Sequence, residues 1–219
     1  MPDASAIVTF LAIALLLMIM LSFAFGTQWN IRKGNARLRW LQPALPVLGE
    51  RTTLRWLGSS VVQLDLVEPR DPFREVTVMV VLEPRDVPLL WLFARAGGRR
   101  DMLILRASLR RAPRLEVEAV AAGAWIKASD DEEVATWPAI SFPNDIRATA
   151  VPGSDPASVA AVRRAWERLA TASGGVWRLS IRRTVPHLEV HLRPSSDPGA
   201  PPMKVVDTIR DLAVELSRA

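Results

Sequence analysis

Ile13-Ala14-Leu15-Leu16-Leu17-Met18-Ile19-Met20-Leu21 is the centre of an apolar run from Ala4 to Phe25, and no charge falls between Asp3 and Arg32. Only Ser5, Thr9 and Ser22 interrupt it, and each can return its hydroxyl to the helix backbone. About 20 apolar residues suffice for a helix to cross the hydrocarbon core of a bilayer. No charge has to be carried to the bilayer centre, so nothing opposes insertion. A core helix of this length would show a polar stripe, which the run lacks. A cleaved signal peptide would begin with Lys or Arg, whereas this chain begins Met1-Pro2-Asp3, although Ser22-Phe23-Ala24 is a passable cleavage site. The preferred reading is a permanent single-span anchor.

The flanks orient that anchor. The terminal amine and Asp3 precede it, and Arg32, Lys33, Arg37 and Arg39 follow. Positive charge stays on the cytoplasmic side. The expected location is therefore a cell (inner) membrane, with the N-terminus outside and the C-terminal domain in the cytoplasm. Trp29, Trp40 and Trp56 accompany the basic residues, as expected of side chains at the headgroup level. Trp29, Arg32, Lys33, Arg37, Arg39 and Trp40 are thus the candidate membrane-surface and topology residues. Ala36 to Gln42 reads equally well as an interfacial segment or as a linker whose Trp packs on the domain. Pro43 and Pro46 end any helix there.

The net charge of +5 is local. Thr27 to Ser60 holds six basic residues and one acidic, whereas Val61 to Ala219 holds 22 basic and 21 acidic. A nucleic-acid partner would require the excess on the domain surface. An excess beside the span suits topology and anionic headgroups instead. The chain has no Cys, which excludes disulfides, thiolate nucleophiles and cysteine-based zinc sites. With two His and no Tyr, few catalytic groups remain.

Working outward, the residues divide into an exterior terminus (1–3), the anchor (4–26), a basic juxtamembrane segment (27–59), a ββαββ unit (60–123), an acidic and Pro-containing connector (124–145) and a βαββα unit (146–219). Val62, Leu64 and Leu66 alternate with Gln63 and Asp65, which predicts a half-buried strand. Val76 to Leu82 is apolar and largely β-branched, which predicts a central strand. Each strand ends in Glu-Pro-Arg-Asp, at Glu68 and again at Glu83. The pair reads as a reused strand-ending turn, since Pro blocks the ladder, rather than as two carboxylate loops at one sheet edge. Asp86 is expected to cap a helix from Val87 or Pro88 to Ala96, ended by Gly97-Gly98. Strands are expected over Met102–Leu109, Arg114–Ala121, Ile146–Val151, Val176–Arg183 and His187–Arg193. Helices are expected from Pro156 to about Ala172, with Asp155 as cap, and over Val205–Ser217. Asp130-Asp131-Glu132-Glu133 lacks calcium-loop spacing and reads as a solvated turn or first helical turn.

Arg106-Ala107-Ser108 followed by Leu115-Glu116-Val117 resembles Arg178-Leu179-Ser180 followed by Leu188-Glu189-Val190, with one residue inserted. The expectation is an α+β domain of two βαββ-type units, each with an antiparallel hairpin, closed by a C-terminal helix. In the first hairpin Arg106 would face Glu118 and Ser108 would face Glu116. In the second, Arg182 would face His187, Ser180 would face Glu189 and Arg178 would face His191.

His187, Glu189 and His191 share one face of their strand. Neighbours on that face lie about 7 Å apart, so both His residues cannot chelate one metal without a fold-back. Arg178 and Arg182 would repel a cation. These five residues therefore read as an exposed, charge-balanced sheet face, on which replacing both His residues by Gln would leave the fold and partner binding nearly unchanged. No catalytic, cofactor-binding or metal-ligating residue is assigned, and no cofactor. Phosphate-loop, nucleophile-elbow and dinucleotide fingerprints are absent.

The functional expectation is a membrane-tethered interaction or accessory domain without catalysis, a component of a membrane-associated assembly. Its partners would be the lipid bilayer and a protein or a second copy, with no nucleic acid. The alternative is a membrane-bound hydrolase or transferase using Asp and Glu carboxylates, metal-assisted near Glu189. A minor alternative is an anionic-lipid sensor through Arg32, Lys33, Arg37 and Arg39.

Overall fold

The computed structural model describes residues 3–125, 132–143, 146–195, 197 and 199–218. It is α+β. Its first element, helix α1 (Ala4–Leu41), runs for 38 residues without a break. The side chains of the apolar run are exposed along its length, and none of its most apolar window is buried inside the protein. That removes the core-helix reading. The helix is long and apolar enough to cross a membrane. At 1.5 Å per residue the run from Ala4 to Phe25 is about 33 Å long, close to the roughly 30 Å hydrocarbon thickness.

Past Phe25 the same helix changes character. Gly26, Asn30, Gly34 and Leu41 are buried and Leu38 partly so, a stripe at helical spacing. The segment expected to lie beside a membrane is therefore packed structure. The helix stops at Gln42, where Pro43 and Pro46 convert the chain into a short 3-10 turn over Gln42–Val47. Strand β1 (Gly49–Leu57) follows. The sequence reading left these residues inside the juxtamembrane segment, because Thr52, Leu54 and Trp56 alternate with two arginines in a run with weak apolar contrast.

The remaining elements are β2 (Val61–Pro69), β3 (Phe73–Val81), α2 (Pro88–Ala96), β4 (Met102–Leu109), β5 (Val117–Val120), α3 (Glu132–Ala135), β6 (Arg147–Ala150), α4 (Pro156–Ala172), β7 (Val176–Ile181), β8 (Leu188–Leu192) and α5 (Pro202–Arg218). Their order follows the expectation, but β3 begins at Phe73 rather than Val76, β5 at Val117 rather than Arg114 and α5 at Pro202 rather than Val205. Asp155 caps α4 by accepting from the Ala157 and Ser158 amides. Asp86 does not cap α2; its carboxylate accepts from the Ser59 hydroxyl at 2.5 Å, and Val87 takes the cap position without a side-chain bond. Of the acidic run, Asp130 and Asp131 lie outside the described residues, and Glu132 and Glu133 open the single-turn α3.

The eight strands of the described residues join one antiparallel sheet in the order β1-β2-β3-β4-β8-β7-β5-β6. This corrects the pairing. The β7–β8 hairpin forms, with Arg178 opposite His191 and Ser180 opposite Glu189. The first hairpin does not form. β4 pairs with β3 and β8, whereas β5 pairs with β6 and β7. Arg106 faces Glu189 rather than Glu118, and Glu118 faces Ser180 and Thr149. The two expected units thus differ in connectivity, and the sequence likeness does not extend to a structural repeat. Alternation, a Pro turn and exterior charge satisfy any antiparallel neighbour, so the pattern could not identify the partner.

One face of the sheet is apolar. Leu64, Val78, Leu105, Val190, Leu179 and Ala119 run across it, all buried. Helices α4 and α5 pack together on this side, with α4 against β7 and α5 against the Gln42–Val47 turn. The end of α1 serves the β1 side, where Trp56 stands against Gly34. The two Glu-Pro-Arg-Asp turns follow adjacent antiparallel strands, so they stand at opposite ends of the sheet and do not converge. The first is exposed; the second meets α1.

Candidate functional site

Two polar constellations stand out, one on the sheet and one beneath the apolar run. The first lies on the face opposite the core. Alternation along β4, β8, β7 and β5 sends Arg106, Glu189, Arg178, Arg182 and Glu118 to that side while Leu105, Val190, Leu179 and Ala119 go to the core. Arg106 Nε donates to Glu189 Oε2 at 2.8 Å, and Arg178 Nη1 donates to Glu189 Oε1 at 2.9 Å. Arg178 Nε donates to Glu118 Oε1 at 2.6 Å, and Arg182 Nη2 donates to Glu118 Oε2 at 3.0 Å. The result is an alternating chain, Arg106–Glu189–Arg178–Glu118–Arg182, laid across four strands. Ser180 stands directly between the two glutamates in the ladder, and its short side chain leaves room for the guanidiniums.

The expectation of an exposed face is overturned. Glu118 is 3% exposed, His191 6%, His187 7% and Glu189 9%. Arg178 and Arg182 are themselves mostly covered, and the Arg182 guanidinium lies 4.6 Å from the centre of the Trp137 ring. Trp137 comes from the connector that wraps the β6 edge, where Ala139 bridges to Thr149. Nothing local to β7 or β8 announces that cover.

Burial pushes the Glu189 carboxyl upward. The hydrogen bond and charge of His191, then the Arg106 and Arg178 guanidiniums, outweigh it and hold the group at about 2. His191 Nε2 lies 2.5 Å from Glu189 Oε1, while its Nδ1 is buried without a partner among the described residues. His187 is separate from this chain. Its Nδ1 accepts from the Leu109 amide at 2.8 Å, so that nitrogen keeps its lone pair. Burial lowers its pKa below the ordinary histidine value. A carboxylate held near 2 has neither a proton to donate nor a useful appetite for one near neutrality. Among the described residues, no group of three His, Asp or Glu is placed to hold a metal ion. What this arrangement does is tie β4, β8, β7 and β5 together through charge-assisted bonds.

The second constellation receives α1. Asn30, fully buried, donates from Nδ2 to the Glu83 carbonyl at 3.0 Å and to the Ser60 hydroxyl at 3.2 Å. Its Oδ1 accepts from Arg85 Nη1 at 3.1 Å. Arg85 also forms a two-pronged pair with Asp101 at 2.9 and 3.1 Å, and Asp101 in turn meets Lys33 at 3.7 Å. The Glu83 carboxylate accepts from Trp91 Nε1 at 2.5 Å and from Arg95 at 3.1 Å. Gly26 lies against the Arg85 carbonyl and Asp86 so closely that a β-carbon there would overlap the backbone.

The expected membrane-surface residues accordingly divide. Lys33 pairs with Asp101, Arg37 donates to the Ser195 carbonyl at 2.9 Å, and Trp40 donates to the Ala200 carbonyl at 2.6 Å. These three face the domain. Trp29, Arg32 and Arg39 remain exposed on α1. The sequence reading missed Asn30 and Asp101, and took Glu83 and Arg85 only as part of a strand-ending turn. The usable signal was small or polar residues every four positions past the apolar run, Gly26, Asn30 and Gly34, which allow close helix approach. Beside this socket is an open cleft of about 380 Å³, bordered by Lys33, Arg37, Arg100 and Arg193.

No protein-family model matches the chain, and no curated protein matches it.

Proposed function

We propose that the chain is a membrane-anchored cytoplasmic interaction or accessory domain without catalytic activity, a component of a membrane-associated assembly. The observation that carries this reading is the continuity of α1. One unbroken helix holds the apolar run and then the stripe of Gly26, Asn30 and Gly34 locked into the domain. A span joined to its domain without a hinge holds that domain at a fixed height and rotation over the bilayer. That geometry suits presentation of a surface to a neighbour. The exposed Arg32 and Arg39 support the cytoplasmic orientation.

The ionic chain on the sheet favours the noncatalytic side. Each of its two carboxylates is engaged by two arginines. The metal-assisted hydrolase would need at least one of them free.

The test joins topology to assembly. A C-terminal reporter active only in the cytoplasm is expected to be active, and protease added to intact cells is expected to leave the domain whole. Affinity purification from detergent-solubilised membranes is expected to bring down a defined protein or a second copy. An Asn30→Leu variant, loosened at the socket, is expected to lose that partner while staying in the membrane. An active reporter on the outer side would overturn the orientation. Turnover abolished by Glu189→Gln in an otherwise folded protein would overturn the noncatalytic reading.

A further inference from the structure

Helix α2 is almost wholly apolar, Pro-Leu-Leu-Trp-Leu-Phe-Ala-Arg-Ala, yet none of its residues is buried. Phe93 is 72% exposed and Leu89 70%, with Leu90 and Leu92 also more than half exposed. Outside α1, half of the exposed large apolar side chains among the described residues fall between Val87 and Phe93. A patch of this kind marks a surface that something covers. Its inward side is polar and occupied, since Trp91 and Arg95 bind Glu83.

The position of α2 names the cover. Gly26, the first residue after the apolar run, packs directly on Arg85 and Asp86. These lie two to three residues ahead of the start of α2, and α2 packs on α1. The exposed Phe23 and Phe25 end the run at that height, and Trp29 projects one turn further on. Arg95, Arg99 and Arg100 border the far end of α2. An apolar helix face at the end of a span, edged by Trp and Arg, matches a helix lying in the headgroup and acyl boundary.

We propose that α2 is a second membrane contact, a short interfacial helix whose Leu89, Leu90, Leu92 and Phe93 enter the same leaflet from which α1 emerges. This rests on the membrane-anchored reading given above. With two contacts, the domain is pinned against tilting as well as tethered.

The chain has no Cys, so single-cysteine variants can be labelled cleanly. Full-length F93C, L89C, A14C and T53C would each carry a polarity-sensitive fluorophore in vesicles of phosphatidylethanolamine and phosphatidylglycerol. Ala14 reports the span, and Thr53 an exposed position on β1. Labels at 93 and 89 are expected to lose most of their emission to a nitroxide on the lipid acyl chain and little to aqueous iodide. The label at 53 is expected to behave in the opposite way. If the label at 14 is quenched from the lipid while those at 93 and 89 are quenched by iodide, the anchor stands and the interfacial helix is wrong. If 93 and 89 are shielded from both quenchers, a protein surface covers α2 and the proposal is equally overturned. If 14 itself escapes the lipid quencher, the anchored reading fails and takes this inference with it.

Discussion

Asn30, on the helix that carries the apolar run, donates a hydrogen bond to the main-chain carbonyl of Glu83, two residues past the end of β3. Through it the run and the sheet become one rigid unit, since Asn30 also meets Ser60 and Arg85. Asn30→Leu strands the Glu83 carbonyl and one Arg85 donor in a buried place. The expected loss is about 1–3 kcal/mol, read by denaturant unfolding in mild detergent. Faster amide hydrogen exchange is expected over residues 26–41.

The packed part begins at the helix, not at the first predicted strand. A fragment starting at Gly26 is expected to fold, with a cooperative thermal transition. One starting at Gln42 is expected to lose cooperativity. It exposes the face that Gly34, Leu38 and Leu41 cover and unpairs Arg85 from Asn30. Equal melting temperatures for the two fragments would show that the second half of α1 contributes nothing.

Removing a carboxylate paired with covered arginines differs from neutralising one paired with an exposed arginine. Glu118→Leu leaves Arg178 and Arg182 as mostly buried guanidiniums facing an apolar group, with an expected cost of about 3–5 kcal/mol. Glu116→Gln breaks a pair with the exposed Arg183, where about 1 kcal/mol or less is expected. Chemical denaturation of both variants gives the contrast directly.

Acid should destabilise the fold in two stages. His187 has a folded pKa below its ordinary value of 6.5, so the unfolded chain binds the proton more readily. Its contribution is present above about pH 6.5 and fades as pH falls through the folded value. Glu189 is held at about 2 against an ordinary 4.5, so between those values the unfolded state again binds more protons. Stability should fall through that window, and Glu189→Gln should flatten the fall. His187→Ala also unpairs the Leu109 amide, at about 1–3 kcal/mol. Burial of both rings argues against the expectation that replacing His187 and His191 by Gln leaves the fold nearly unchanged. Unfolding curves taken from pH 7 to pH 2 would measure each step.

What the sequence by itself determined was local. The uncharged run predicted the apolar helix over residues 4–26 but not its continuation to Leu41, alternation placed β2, β4 and β8 with their core faces, and Asp155-Pro156 marked the start of α4. The β7–β8 hairpin was legible in register because a short loop joins its strands and limits the pairing. Only the tertiary structure decided who pairs with whom at long range. Arg106 and Glu118 carry charges that suit each other, but Glu118 suits Arg178 and Arg182 equally well, and the insertion of β8 and β7 between β4 and β5 made that choice. Burial of the sheet's charged side depended likewise on Trp137 folding back from the connector. The socket for α1 joins residues some fifty positions apart, Asn30 and Glu83. A single polar residue past an apolar run reads as solvated until the surface it meets is known, because a hydrogen bond has no sequence periodicity and a buried face does.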